Sequence, residues 1–264
     1  MKQKSRTEYS VMNTTVAFLA QTLAIFMGFF TRVVFTRTLS EGYVGINGLF
    51  TDILNILSLS ELGVGTAITY ALYAPIARRD IKKQQILMRM FRNFYRITAG
   101  FVVLAGLCLI PFLDILMKDR PDVNHLIIIY LLYLLNSVVS YLLIYKKTLV
   151  DAHQMNYITV MYHNGFLVLQ DILQIIVLFL TRNFILFLVI AVVCTIIGNI
   201  CMSRKADRLF PYLKEPCKEQ LPQEERHDIL RNVKAMLMHK IGNVVVNNTD
   251  NLLISGFVGI ASVG

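Results

Sequence analysis

Arg32, Glu61, Asp171 and Asp250 each fall inside a run of apolar residues. An ionisable side chain at membrane depth costs about 2.5 to 3.5 kcal/mol on insertion, so it needs a partner or a hydrated cavity. The residues around these four are also polar, at helical spacing. In the first run Thr14, Gln21, Gly28 and Arg32 are spaced 7, 7 and 4, which at 100° per residue places them within about 20° of one line. In the second, Asn55, Ser58, Glu61, Gly65 and Thr69 are spaced 3, 3, 4 and 4. In a fifth run His163, Gln170 and Gln174 share a face, with Asn164 and Asp171 one residue round. Near the carboxyl end Lys240, Asn243, Asn247 and Asp250 are spaced 3, 4 and 3, beside Asn248, Asn251 and Ser255. Such faces can bind: they can hydrate and hold a charged solute or an ion within a bundle. The candidate cavity and substrate residues are therefore Arg32, Asn55, Glu61, Asp171, Asn247 and Asp250.

Two readings of Arg32 stand. It lies near a helix end, where a long cationic side chain can snorkel to the outer interface, or it lines a cavity. Glu61 is either a structural partner of Arg32, a helix-packing hydrogen-bond group, or a cavity group. Asp52, one turn above, reads as interfacial. A lone His163 reads as a satisfied buried histidine before a proton relay, and Asn136 with Ser140 reads as interhelical glue. Taken together, several polar faces imply one shared hydrated interior.

Covalent and metal-assisted chemistry find no motif. The chain contains no HExxH, no GxSxG, no GxxxxGK[ST] and no paired-acid signature. Cys108, Cys194, Cys201 and Cys217 form neither a CxxC pair nor a Cys/His cluster. The expectation is a protein that is not an enzyme and needs no cofactor; a proton or sodium gradient is the candidate energy source.

The elements that must position these residues follow from hydropathy. The chain has 264 residues, 55% of them hydrophobic and only 16% charged, against roughly 25% charged in a soluble domain. Its mean hydropathy is +0.56. The apolar runs match the roughly 18 to 25 residues that span a bilayer. They predict spans over Val11–Thr38, Tyr43–Ile76, Tyr95–Met117, His125–Tyr145, Tyr157–Leu180 and Asn183–Met202, with a further helix beginning near Ile229. The fold class expected is an all-α, polytopic membrane helix bundle with six transmembrane helices plus part of a seventh.

Of the 26 Lys and Arg residues, 20 lie at the amino terminus and in the even-numbered loops. That asymmetry predicts a cytoplasmic amino terminus and cytoplasmic even-numbered loops; the expected location is a bacterial inner membrane. The asymmetry also accounts for the net charge of +9 without nucleic acid. The basic second loop suits anionic membrane lipid. The outside loops are short and leave no room for a catalytic domain there.

The stretch from Arg32 to Asp80, above all YVGINGLF (Tyr43 to Phe50) and LSLSELGVGTAI (Leu57 to Ile68), resembles the polysaccharide, O-antigen and teichoic-acid export flippases. These sit in one superfamily with the multidrug/toxin extruders and the lipid II flippase. HKIGNVVVNNTDNLLISGFVGIASVG (His239 to Gly264) resembles the family's seventh helix and the turn after it. The resemblance implies two six-helix lobes facing each other across a central cavity. It implies alternating access that flips a polyprenyl-diphosphate-linked oligosaccharide from the cytoplasmic to the outer leaflet for surface polysaccharide export. The implied partners are that lipid-linked oligosaccharide and membrane lipids, with a polysaccharide polymerase and glycosyltransferases as candidate protein partners.

Within that frame Arg32 is the candidate contact for anionic phosphate, and Glu61, Asp171 and Asp250 are coupling-ion or ion-pair candidates. The expected division is a six-helix lobe over 1–202, a cytoplasmic linker over 203–228, and the first helix of a second lobe over 229–264. Thr31 to Ile46 resembles Thr249 to Ile260, which supports an internal repeat. The chain is about half the family's length, so a truncated product or incomplete sequence is expected. The rival readings are a multidrug/toxin extruder and a membrane polymerase or ligase of polysaccharide synthesis.

Overall fold

In the computed structural model the described residues are 6–57, 64–113, 123, 125–215, 219, 221–236 and 238. Those residues form helices and the turns between them, with no strand among them. Helix α1 spans Arg6–Thr38, α2 Glu41–Leu57, α3 Val64–Ala77, α4 Ile81–Leu109, α5 Leu126–Tyr141, α6 Ile144–Ala152, α7 Asn156–Thr181 and α8 Phe184–Leu209. A last helix, α9, covers 223–236. Among the described residues five stretches are long and apolar enough to cross a membrane: Thr7–Thr38, Ile81–Phe112, Leu126–Ala152, Asn156–Thr181 and Phe184–Leu209. The described fold is all-helical, and the chain is a multi-pass membrane protein.

Four boundaries differ from the hydropathy reading. The expected span Tyr43–Ile76 comprises two helices, α2 and α3, on either side of residues 58–63, which lie outside the described residues. The expected third span starts at Ile81 rather than Tyr95. Its first four turns are basic and polar, so hydropathy passes over them. Yet Gln84, Leu87, Met88, Phe91 and Tyr95 are all buried at the 3-to-4-residue interval of one helix face. Asp80 caps this segment, its Oδ1 accepting from the Lys83 amide at 2.9 Å. The expected fourth span breaks at Leu142–Leu143 into α5 and α6, with no proline or glycine there to announce it. Likewise α8 continues past Met202 to Leu209, because Ser203 and Ala206 are buried while Arg204 and Arg208 face outward.

Two apolar cores stack along the bundle. One joins α1, α2, α4, α5, α7 and α8 through Phe35, Phe50, Val102, Ile129, Tyr130, Leu178 and Phe184. The other joins α3, α4, α6, α7 and α8 through Ile68, Leu72, Phe91, Tyr95, Leu149 and Ala206. Outward-facing residues are apolar too: Phe18, Phe101, Leu104, Ile128 and Ile176 are exposed, as befits helices whose outer solvent is hydrocarbon.

Polar atoms between helices are matched one by one. The buried Tyr130 hydroxyl of α5 donates to the Gly106 carbonyl of α4 at 2.8 Å. Asn199 of α8 donates to the Val139 carbonyl of α5 at 3.0 Å, beside the break. Gln174 of α7 donates to the Phe187 carbonyl of α8 at 2.9 Å. Asn13 of α1 accepts from the Tyr157 amide at 2.8 Å and donates to the Gln154 carbonyl at 2.9 Å. It thereby supplies from a neighbouring helix the cap that α7 lacks at its own N-cap residue, Met155.

The two ends of the bundle differ. At one, Phe35, Tyr43, Phe184 and Phe187 cluster with ring centroids 5.2 to 5.9 Å apart. At the other, Lys146 bridges to Asp207 at 2.7 Å and Ser203 at 2.9 Å, and Lys83 to Glu225 at 2.8 Å. There Tyr212 donates to Gln84 Oε1 at 2.6 Å, burial pushing the Tyr212 phenol up to about 12, so it stays a donor at neutral pH. His153 lies against Phe210 at 4.3 Å and its Nδ1 meets the Leu149 carbonyl at 2.9 Å.

Two predictions follow from this packing. A Cβ on Gly106 would run into the Leu134 side chain, and Leu134 is itself buried. Gly106→Val should destabilise the bundle by about 1 to 3 kcal/mol, read as a lower thermal midpoint in detergent; an unchanged midpoint would refute the close α4–α5 approach. Burial lowers the His153 pKa below its usual 6.5, against a smaller opposing effect of the Leu149 carbonyl. The unfolded chain therefore binds the extra proton first, and the stability held above pH 6.5 drains away as pH falls through the folded-state value. His153→Phe should flatten that acid limb of the thermal midpoint against pH.

Candidate functional site

The candidate residues fall at two places, with the remainder outside the described residues. Glu61, Asn247 and Asp250 lie outside them, as does the side chain of Asn55, whose backbone sits in the last turn of α2.

Arg32 is exposed on α1, its guanidinium 5.8 Å from the centroid of the Phe35 ring, a separation at which the ring face attracts a cation. α1 packs chiefly along α7. Thr31 and Phe35 are buried on the packed side, while Thr14, Gln21 and Arg32 of the predicted polar stripe are all exposed. A 100° step per residue sets the stripe along the edge of the packed face. Arg32 also lies within electrostatic reach of Tyr133 on α5, whose hydroxyl donates to the Asn47 side chain of α2. Sequence reasoning did not single out Asn47 or Tyr133. Their signal is weak, an amide and a phenol in separate runs, and only tertiary packing pairs them.

Asp171 belongs to the other side of α1. It is half-buried and lies beside the Thr31 side chain, whose hydroxyl donates to its own Met27 carbonyl at 3.0 Å. So α1 meets α7 through polar contacts at both ends of their run, Asn13 near the start and Thr31–Asp171 further along.

The polar face of the fifth run is divided between two neighbours. Asp171 turns to α1. His163 and Gln170 instead line a cavity of about 360 Å³ between α5, α6, α7 and α8. Gln174 sits beyond, buried, bonded to the Phe187 carbonyl and accepting from Gln170 at 3.4 Å. Asn136 and Ser140, expected to be interhelical glue, line the same cavity. The described polar residues thus serve separate compartments rather than one interior. The arrangement can hold charge at two sites, the outer edge of α1 and the inside of the four-helix cluster. Among the described residues no group of three or more His, Cys, Asp or Glu is placed to hold a metal.

The sequence profile described as polysaccharide biosynthesis protein matches residues 10–264, and the chain belongs to that family, the polysaccharide biosynthesis and export flippases. No match is found among curated proteins or among solved structures.

One further prediction concerns the α1–α7 contact. Thr31→Val and Asp171→Asn each alter one side of the Thr31–Asp171 polar contact. A double-mutant cycle on thermal stability should show about 0.5 to 3 kcal/mol of coupling; strictly additive losses would mean that the two do not interact.

Proposed function

We propose that this family member is the amino-terminal lobe of a flippase. Its cargo is a polyprenyl-diphosphate-linked oligosaccharide, carried from the cytoplasmic to the outer leaflet by alternating access between two lobes. The role is transport rather than catalysis, driven by a proton or sodium gradient. The observation that carries this reading is the uncovered polar edge of α1. Thr14, Gln21 and Arg32 lie exposed on a helix packed along one side, and an arginine left in hydrocarbon is costly. A hydrated interface with a second lobe removes that cost and sets Arg32 against the diphosphate, where a charge-assisted hydrogen bond holds the phosphate oxygens.

In this reading α2 and α3 together make the second crossing, bringing the lobe to six. Helix α9 overlaps the segment 229–264 that this reading gives to the second lobe. Lys82, Lys83, Arg204, Lys205, Arg208 and Arg226 mark the end that carries the amino terminus, and their excess of positive charge supports placing that end on the cytoplasmic side, in a bacterial inner membrane in this reading. Glycosyltransferases and a polysaccharide polymerase act before and after the flipping step.

Cells lacking the gene should accumulate the lipid-linked oligosaccharide in the cytoplasmic leaflet and lose surface polysaccharide. Drug sensitivity with intact surface polysaccharide would point instead to a multidrug/toxin extruder. In cells expressing the chain at normal levels, Arg32→Ala should reduce surface polysaccharide about tenfold, the worth of one hydrogen bond to a charged group. Unaltered export would remove Arg32 from the path.

A further inference from the structure

We propose that the cavity enclosed by α5, α6, α7 and α8 is a second site, one that binds an oxyanion of the phosphate type through Lys147. It lies inside a single lobe, apart from the α1 edge on which the transport reading rests, and stands independently of that reading.

The cavity sits at the level where the two apolar cores meet. Its walls on α5 fall at Asn136 and Ser140, next to Tyr141 of one core, and on α8 they run from Cys194 to Met202, which belongs to the other. Its volume of about 360 Å³ is within the roughly 300 to 1,000 Å³ range of small-molecule sites. Gly198 forms part of the wall, and a side chain there would press on the Phe166 ring at 3.1 Å, so the close α7–α8 contact that shapes the cavity depends on it.

The lining decides the ligand's charge. It holds one cation, Lys147, together with His163, Tyr162, Thr195, Gln170 and Asn136, and no carboxylate. A metal or alkali cation would want anionic or carbonyl oxygen and would be repelled by the lysine. The nearby carboxylate, Asp151, is taken up by the Thr159 hydroxyl at 2.6 Å. It acts on Lys147 only through space.

The neighbouring lysines show the difference. Lys146 is fully engaged by Asp207 and Ser203. No salt bridge among the described residues engages Lys147. Lys147 and His163 face the same space within electrostatic reach of each other, so an anion bound there meets a cation and an imidazole N–H donor together.

Other polar groups of the wall are committed: Ser140 to the Ser137 carbonyl at 2.6 Å and Asn199 to the Val139 carbonyl at 3.0 Å. The Asn136 Oδ1, by contrast, is buried with no hydrogen-bond partner, and an unsatisfied buried acceptor is a cost. It calls for a donor, which a protonated oxygen of a phosphate-type group supplies, while the other oxygens of that group accept from Lys147, Tyr162 and Thr195.

The test uses the 264-residue chain purified in detergent, with radiolabelled inorganic phosphate as the probe in equilibrium dialysis. One saturable site per chain is expected in the unaltered protein. Lys147→Met should weaken it by about tenfold or more, as loss of a charge-assisted contact requires, and Lys147→Arg should retain it. Thr195→Leu fills the cavity without changing charge and should also lose the site, so the result does not hang on one variant. Size-exclusion profiles certify folding.

Absence of saturable binding would overturn the proposal. So would binding that survives both Lys147→Met and Thr195→Leu, or that is lost only with Arg32→Ala. The last would assign the phosphate to the α1 edge and leave the transport reading standing. Competition by nanodiscs containing phosphatidic acid, compared with phosphatidylcholine alone, separates a lipid headgroup from a free phosphate as the source. Either outcome is a phosphate group at Lys147.

Discussion

The constraint on which the bundle depends is that hydrocarbon offers no hydrogen bonds. Every backbone group released by a broken helix, and every polar side chain placed between helices, must find a partner inside the protein. Three contacts show how this chain meets it. Tyr130 to Gly106, Asn199 to Val139 and Gln174 to Phe187 each join a side chain of one helix to a backbone carbonyl of another. In sequence they tie α4 to α5, α5 to α8 and α8 to α7; Asn13 then ties α7 to α1. Since lipid tails are as apolar as leucine, association rests on such bonds and on close packing, and not on hydrophobic burial. The apolar cores fill the space that these bonds define.

The same constraint sorts the two ends. Where the chain leaves the apolar zone at the amino-terminal end, charge is affordable, and ion pairs fasten helix to loop: Lys146 with Asp207, Lys83 with Glu225. Lys82 with Glu219, both well exposed at 3.5 Å, adds little by comparison. At the opposite end rings do this work. Phe35, Tyr43, Phe184 and Phe187 meet in edge and tilted geometries, each pair contributing about 0.5 to 1.5 kcal/mol beyond its buried area. An ion-paired end and an aromatic end give the bundle a polarity along its length that matches its uneven distribution of lysine and arginine.

Hydropathy made the apolar stretches legible and, through them, the class of protein. It missed the first four turns of α4 because Lys82, Lys83, Arg89 and Arg92 lower the local average. A helical-period reading of Leu87, Met88, Phe91 and Tyr95 recovers that segment. It missed the α5–α6 break because nothing at Leu142–Leu143 forbids a helix; the break is held from outside, by Asn199 on the Val139 carbonyl. Residue spacing put Thr14, Gln21, Gly28 and Arg32 on one line, of which Thr14, Gln21 and Arg32 are exposed and Gly28 is half-buried. It could not show that His163 and Asp171 serve different neighbours. They stand eight residues apart on one helix, about 80° round from each other, and which neighbour each meets is a property of the helices packed alongside.

Arg32 and Lys147 make the closing contrast. Both are cations in apolar stretches with no salt bridge among the described residues, while Lys146, beside one of them, is locked to a carboxylate. Evolution had a cheap remedy for either, since a neutral residue or a nearby acid removes the desolvation cost. The chain uses that remedy fully at Lys146, and at Lys147 only through the field of Asp151, with no salt bridge. In the readings proposed above, Arg32 and Lys147 each stand ready for an anion that arrives later. Arg32 stands at an exposed edge of α1 and Lys147 in a cavity among α5, α6, α7 and α8. The two positions differ in what can reach them. Arg32 can meet a large head group across an interface. Lys147 can meet only what fits among four helices.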